Sequence, residues 1–288
     1  MFGGGRSLKK SPEQKTGSSH RKDRASIAKR PGELMDHTLK CRYEMKYVIN
    51  ESKAAAIAQF IKPYLPLDRY SKLQPHGCYP IVSLYLDSND LQLCKESLRG
   101  FLKRFKLRIR SYNDDPNYPR FFEIKRRANT VIIKSRARVR TQDVATLLSG
   151  QYLPPLQDYK TDVDTIKQFQ LYMKSIDAKP KVLIRYLRRA YEGNMDNRVR
   201  VTFDRQLAYK VSSDPEVLLN GQGGWQHHPI TLNSVILEVK FTGRYPAWLG
   251  RMAKYFDLHQ RSMSKYANSL VRACESRFYA PTVPIQMY

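Results

Sequence analysis

Three consecutive runs decide the reading of this chain: RFKLRIRSY (104–112), FFEIKRR (121–127) and VIIKSRARVR (131–140). Side chains of a strand alternate between its two faces, so a period of two separates them into two sets. Lys106, Arg108 and Arg110 alternate with Leu107 and Ile109. Glu123, Lys125 and Arg127 alternate with Phe122 and Ile124. Lys134, Arg136, Arg138 and Arg140 alternate with Val131, Ile133, Ala137 and Val139. A solvated strand face usually mixes both charge signs with Ser, Thr and Gln. This one carries cations against the single carboxylate Glu123. Like charges facing each other across a ladder repel, so the face calls for an anion.

The alternation recurs outward from there. Arg42, Glu44 and Lys46 oppose Tyr43, Met45 and Tyr47. Arg185, Leu187 and Arg189 oppose Ile184, Tyr186 and Arg188. Arg198, Arg200, Thr202 and Asp204 oppose Val199, Val201 and Phe203, and Glu238 and Lys240 oppose Leu237, Val239 and Phe241. If the apolar faces meet helices, the charged faces meet one another. The expected fold is α+β: an antiparallel eight-stranded β-barrel, a tunnel, with helices packed outside. Asn50 is placed to cap a helix with Ala54, Ile57 and Ile61 on one stripe, and further helices are expected after Ser88, over DVATLLSG, from Thr161 to Ile176, from Pro246 and after Ser264. A separate strand is expected near Gln206 to Val211.

The totals bound the partners. A net charge of +25 over 288 residues points to a polyanion. Cys41, Cys78, Cys94 and Cys274 form no CxxC pair, which argues for free thiols in a reducing compartment and against zinc. With no apolar run of transmembrane length, a cytoplasmic location is expected. Residues 1–37, rich in Gly, Ser, Lys and Arg, read as a disordered basic tail, and 38–288 as the folded domain. There is no GxxxxGK[ST] loop, so side chains would have to hold a nucleotide. His227 and His228 read as solvated loop histidines, and Asp87 and Asp204 as capping or turn residues. Tyr43, Tyr47 and Tyr186 read as core.

RYEMKYVI, SLYLDS, LRIRSY, FFEIKRR, RRAYE, RVRVTFDR, LEVKF and SKYANS occur in this order between residues 38 and 275. Together they resemble the VTC domain, the polyphosphate polymerase branch of the triphosphate tunnel (CYTH-like) superfamily. The resemblance implies a tunnel that binds ATP and inorganic polyphosphate with Mn²⁺ or Mg²⁺. It places the reacting cations at Lys46, Arg108, Arg110, Lys125, Arg200 and Lys265, with one of Arg188 or Arg189, and the metal-binding glutamate at Glu238. Lys134, Arg136, Arg138, Lys240 and Glu44 are further substrate-binding candidates on the charged faces. The superfamily's opening ExExK is reduced here to Arg42-Tyr43-Glu44-Met45-Lys46, a cation in place of one carboxylate, which puts an ordinary triphosphatase metal geometry in question. From the residues alone, Glu238 suits either a metal or an ion pair with a neighbouring Arg.

Three function classes follow: a polymerase moving the γ-phosphate of ATP onto polyphosphate, a hydrolase of triphosphate or polyphosphate, and a non-catalytic polyanion-binding module. The last predicts aromatic residues among the cations, and the charged faces as read here lack them, so no specific nucleic acid partner is expected. A membrane-protein partner is compatible with the sequence, which leaves oligomeric state open. Arg110 and Arg200 are expected to be phosphate-facing forks whose removal leaves the fold intact.

Overall fold

The computed structural model describes Met1 and residues 42–277, apart from 130, 152–158, 160–161, 194–198 and 222. The expected basic tail, 1–37, lies outside the described residues.

The strands are β1 (Arg42–Ile49), β2 (Tyr79–Asp87), β3 (Lys103–Ser111), β4 (Arg120–Ala128), β5 (Val131–Val139), β6 (Lys179–Glu192), β7 (Arg200–Val211), β8 (Gln226–His227) and β9 (Val235–Thr242). They form one nine-stranded sheet in the order β1-β9-β7-β6-β2-β3-β4-β5, with the short β8 paired to β7. Every pairing is antiparallel. The helices are α1 (Glu51–Ile61), α2 (Arg69–Lys72), α3 (Gln92–Leu98), α4 (Val144–Leu148), α5 (Val163–Ser175), α6 (Ala247–Tyr255) and α7 (Lys265–Glu275).

The outer face follows the apolar half of each alternation. Leu107 and Ile109 of β3 stand beside Phe122 and Ile124 of β4 and Ala137 and Val139 of β5, and α4 and α5 cover them with Val144, Leu147, Ile166, Phe169 and Met173. Around β1, β9 and β7, Tyr47, Leu237, Val239, Val201 and Phe203 are covered by Ala54, Ile57 and Ile61 of α1 and Leu249 and Met252 of α6. Fully burying each large aliphatic or aromatic side chain stabilises by roughly 1.5–3 kcal/mol, so these layers fix which face turns inward. The Asn50 side chain caps α1 by accepting from Lys53 N at 2.8 Å, worth about 1 kcal/mol.

Three expectations change. Among the described residues no ladder joins β1 to β5, so hydrogen bonds do not close the sheet into a barrel. Curl brings its ends together instead: Lys125 Nζ on β4 donates to Glu44 Oε2 on β1 at 3.2 Å, although β1 opens the strand order and β4 stands next to its end. The separate strand at Gln206–Val211 is the second half of β7. Gln206 takes a positive φ of 52° where the β6 register shifts between Arg185 and Leu187, and such a bulge bends a strand without ending it. Finally, not all helices lie outside. Tyr266, Ala267, Leu270 and Ala273 of α7 pack with Leu91 and Cys94 against Tyr79, Ile81, Tyr85, Ile184 and Tyr186, which share the face that bears the cations.

Candidate active site

Register assembles the inner face. Across one row, Tyr85 stands opposite Arg108, Arg108 opposite Glu123, and Glu123 opposite Arg136. Across a second, Tyr79 faces Arg188 and Arg188 faces Asp204. On the far side Arg200 faces Lys240, which faces Glu44, while Glu238 faces Lys46. Residues distant in sequence therefore line one concave surface.

Two charge clusters divide it. In the first, the buried Glu123 carboxylate receives Arg108 Nε at 2.6 Å, Arg136 Nε at 2.7 Å and Lys134 Nζ at 2.8 Å. Burial alone would raise the pKa of Glu123, but Arg108, Arg110, Lys134 and Arg136 overcome it and hold the group well below the usual carboxylate range. Arg108 Nη1 also donates to Tyr85 Oη at 3.1 Å. Arg110, only 6% exposed, donates to Ser83 Oγ at 3.1 Å and Tyr186 Oη at 3.5 Å. No carboxylate lies within ion-pair distance of it among the described residues.

The second cluster joins β1, β9, β7, β6 and α7. Lys240 Nζ lies 2.7 Å from Glu238 Oε1 and 4.0 Å from Glu44 Oε2, and Lys46 lies 3.0 Å from Glu44 Oε1. Arg188 forks onto Asp204 at 2.6 and 2.7 Å and stands 3.9 Å from Glu238. Lys265, the first residue of α7, completes the group at 2.7 Å from Asp204. Burial opposes ionisation of Glu238, but Lys240, Lys46, Lys265 and Arg188 keep it well below its ordinary range. Burial pushes Lys240 down to about 8 against the pull of Glu238 and Glu44.

Between the clusters stands Lys106, which sequence reading placed on the charged face without choosing it as a site residue. Its amine donates to Ser264 Oγ at 2.8 Å and lies over the Tyr266 ring, 5.7 Å from its centre. Burial, with Lys125 and Lys46 adding repulsion, pushes it down to about 7.

The structure brings together Lys46, Arg108, Arg110, Lys125, Lys134, Arg136, Arg188, Lys240, Lys265, Glu44 and Glu238. Of the pair left open, Arg188 faces inward and Arg189 outward, donating to His76 O at 2.6 Å. Arg138 is a rim residue, its side chain 68% exposed and 3.5 Å from Asp162. Arg200 sits at the mouth, bonded to Asp68 at 2.8 Å and to Glu192, so it is a structural tie as well as a cation.

The two aspartates expected to cap or turn part ways. Asp87 does cap: it accepts from Leu93 N at 2.9 Å and Cys94 N at 3.0 Å. Asp204 does not; it is an inward anchor for two cations. His228 is a buried neighbour of Tyr209, not a solvated loop residue. The inner face is also not free of aromatic rings. Tyr79, Tyr85, Tyr186 and Tyr266 lie on it, almost fully buried. Most of them orient charged groups through their hydroxyls, so the expectation of an aromatic-free face fails because core-like tyrosines alternate into it.

A divalent metal can be tested against this geometry. Magnesium is commonly held through one or two carboxylates, water and substrate phosphates. Glu238 and Glu44 share one neighbourhood beside Lys240, and the described residues hold no cluster of three or more potential ligands. The pair fits a metal shared with a phosphate chain, not an all-protein cage.

A curled antiparallel sheet whose inner wall sets Arg and Lys around a few carboxylates defines an anion-binding tunnel. The sequence profile of the VTC domain matches residues 41–273, and the chain belongs to that family, a tunnel-enzyme family of phosphoryl transfer. No curated protein matches. Among solved structures, a Bacillus halodurans protein described as a candidate adenylate cyclase is 13% identical, with a TM-score of 0.43, covering 78% of this chain and 94% of that one. A Pyrococcus horikoshii protein is 12% identical at a TM-score of 0.40, covering 82% and 99%. A Hippeastrum protein, described as a candidate adenylyl cyclase with a dominant triphosphatase activity, is 11% identical at 0.40, covering 85% and 99%. These are distant likenesses, and the family assignment does not rest on them.

Proposed function

We propose that this chain is a polyphosphate polymerase, transferring the γ-phosphate of ATP to the end of a growing inorganic polyphosphate chain within the tunnel. The observation that carries the proposal is Arg110, a buried guanidinium with hydroxyl partners but no carboxylate, set beside Arg108 and Arg136. A phosphate oxygen can meet such a group with the bidentate geometry that guanidinium favours. Phosphoryl transfer has a loose transition state, so catalysis consists mainly of positioning and charge stabilisation. A phosphate chain end is already anionic and needs no dedicated base, in keeping with a site built from Arg and Lys.

In this reading Arg108, Arg110 and Arg136 hold one phosphate group and Lys46, Lys106, Lys125 and Lys265 the incoming chain. Glu238, with Glu44, would hold Mn²⁺ or Mg²⁺. When bound, such an ion neutralises charge on the transferring phosphates. Arg188 is kept pointing inward by its fork to Asp204. A cytoplasmic setting, with ATP and polyphosphate as partners and no specific nucleic acid, follows from the same reading. No helix among the described residues is long and apolar enough to cross a membrane; a membrane-protein partner that receives the product is compatible with this reading.

The test is incubation with ATP and Mn²⁺ or Mg²⁺, scoring long-chain polyphosphate against free phosphate. Accumulating polymer is the expected result. Free phosphate alone would make the chain a triphosphatase or polyphosphatase, and no turnover would make it a polyanion-binding module.

A further inference from the structure

One group of aromatic rings runs from the inner face out to the surface. Tyr70, on the short α2, is 46% exposed, and its ring lies parallel to that of Tyr112 within 2°, centroids 6.2 Å apart. Tyr79 backs both, at 5.8 and 6.2 Å, and Tyr118 and Phe121 meet Tyr112 edge-on. The group is wired to the tunnel. Arg136 donates to Tyr112 Oη at 2.6 Å while its Nε holds Glu123. Arg200 donates to Tyr79 Oη at 3.2 Å. On the outer side the Arg69 guanidinium lies 5.1 Å from the centre of the Tyr70 ring. Tyr70 leaves part of an aromatic ring exposed beside a guanidinium, and planar cations and rings together are what a nucleobase stacks on.

We infer that Tyr70, with Arg69 and backed by Tyr112, is a stacking platform for the base of a nucleoside triphosphate whose phosphates enter the tunnel at Arg136. The inference rests on the tunnel reading and deepens it, because it explains how a nucleotide is distinguished from a bare phosphate chain. Stacking reads the ring face and not its edge, so the platform accepts adenine and guanine alike and prefers them to pyrimidines by area.

The experiment compares ATP with tripolyphosphate, which carries the same phosphate chain without the base. Calorimetry on the full chain in Mg²⁺ is run for wild type, Tyr70→Leu and Tyr70→Phe. Tyr70→Leu should weaken ATP and GTP by about tenfold and leave tripolyphosphate within about twofold, a bound set by the surface position of Tyr70. Tyr70→Phe, which keeps the ring, should restore nucleotide affinity. Equal weakening of ATP and tripolyphosphate would make Tyr70 a prop for Arg136 and overturn the platform, as would no change for either. Failure of wild type to bind tripolyphosphate would refute the tunnel reading itself, a distinguishable result. A short single-stranded oligonucleotide binding more tightly than ATP would also overturn the assignment, in favour of a nucleic acid site.

Discussion

The two charge clusters differ in kind. Around Glu123 a single carboxylate ties down two guanidiniums and one amine, and a third guanidinium, Arg110, stands beside them without a carboxylate. Around Glu44 and Glu238, two adjacent carboxylates share Lys46, Lys125 and Lys240, with Arg188 at the edge. The first is rigid: planar forks fixed by hydroxyls and a buried acid. The second is exchangeable, because a flexible amine leaves a carboxylate more easily than a fork does. One cluster is thus suited to gripping phosphate oxygens and the other to trading a lysine for a divalent ion.

The widest test of that contrast is Arg110→Ala. Removing one preorganised charge donor costs about a hundred- to a thousandfold in turnover, while the ligand-free melting temperature should hold, since among the described residues no carboxylate within ion-pair distance loses its partner. A clear fall in melting temperature would place Arg110 among the structural ties. Arg200 is the foil: Arg200→Ala removes the ion-pair partner of the buried Asp68, which keeps Ser71 N and the Tyr79 hydroxyl, so apo stability should drop, contrary to what its alternation alone suggests. Next comes Glu123→Ala, which leaves Arg108, Arg136 and Lys134 facing one another. Breaking a buried pair costs about 3 kcal/mol, and denaturant titration should recover much of that loss when tripolyphosphate is added. No recovery would show that the cations do not form an anion seat.

Glu238→Gln addresses the exchangeable cluster. Turnover across a Mn²⁺ titration should shift by at least the roughly tenfold that loss of an outer partner costs a metal site, while polyphosphate affinity in EDTA stays equal or improves with one negative charge removed. Unchanged turnover would end the metal role, and lost binding without metal would make Glu238 a structural partner of Arg188.

The smallest effect concerns pH. In the unfolded chain Lys106 holds its proton to about 10.5, but in the fold only to about 7. Between those values the unfolded chain binds more protons, so this group makes ligand-free stability rise with pH through that window. Binding a phosphate chain favours the protonated amine, so affinity should fall severalfold as pH climbs above about 7. At pH 8, binding should take up protons in a two-buffer calorimetry pair. Lys106→Gln should flatten both profiles, and an unchanged uptake in that variant would assign the effect elsewhere, first to Lys134, which burial also pushes down to about 7, then to Lys240.

Much of this was legible in the chain. The period-two alternation of 104–140 gave the faces, and the capping Asn50 and Ser264 gave helix starts that the structure reproduces. Curl and register are another matter, because they depend on pairings between strands more than a hundred residues apart. Alternation set Arg189 on the charged face and Arg188 on the opposite one, the resemblance left the pair open, and pairing with Tyr79 and with Asp204 on β7 turns Arg188 inward instead. Lys106 carried no distinguishing signal until Ser264, 158 positions away, came to rest on it. Asp204 had the signal, standing in phase with Arg200 and Thr202, but the short TFDR context favoured a turn. The misreading of α7 has a similar source: its apolar stripe is plain in sequence, yet nothing local says which side of the sheet it covers.

The meeting of β1 and β4 has a topological consequence. A barrel laced shut by backbone hydrogen bonds can be entered by a long polymer only end first, like thread through a needle's eye. Among the described residues this sheet has a hem without a ladder, drawn together by the contact of Lys125 with Glu44 and by residues 261–264, which bond Lys46 of β1 and Lys106 of β3. Lys125 and Glu44 are themselves phosphate or metal seats in the proposed cycle, so there an occupied lumen would compete for that contact. In that cycle the middle of a long chain would not have to be threaded at all; it would be laid in sideways.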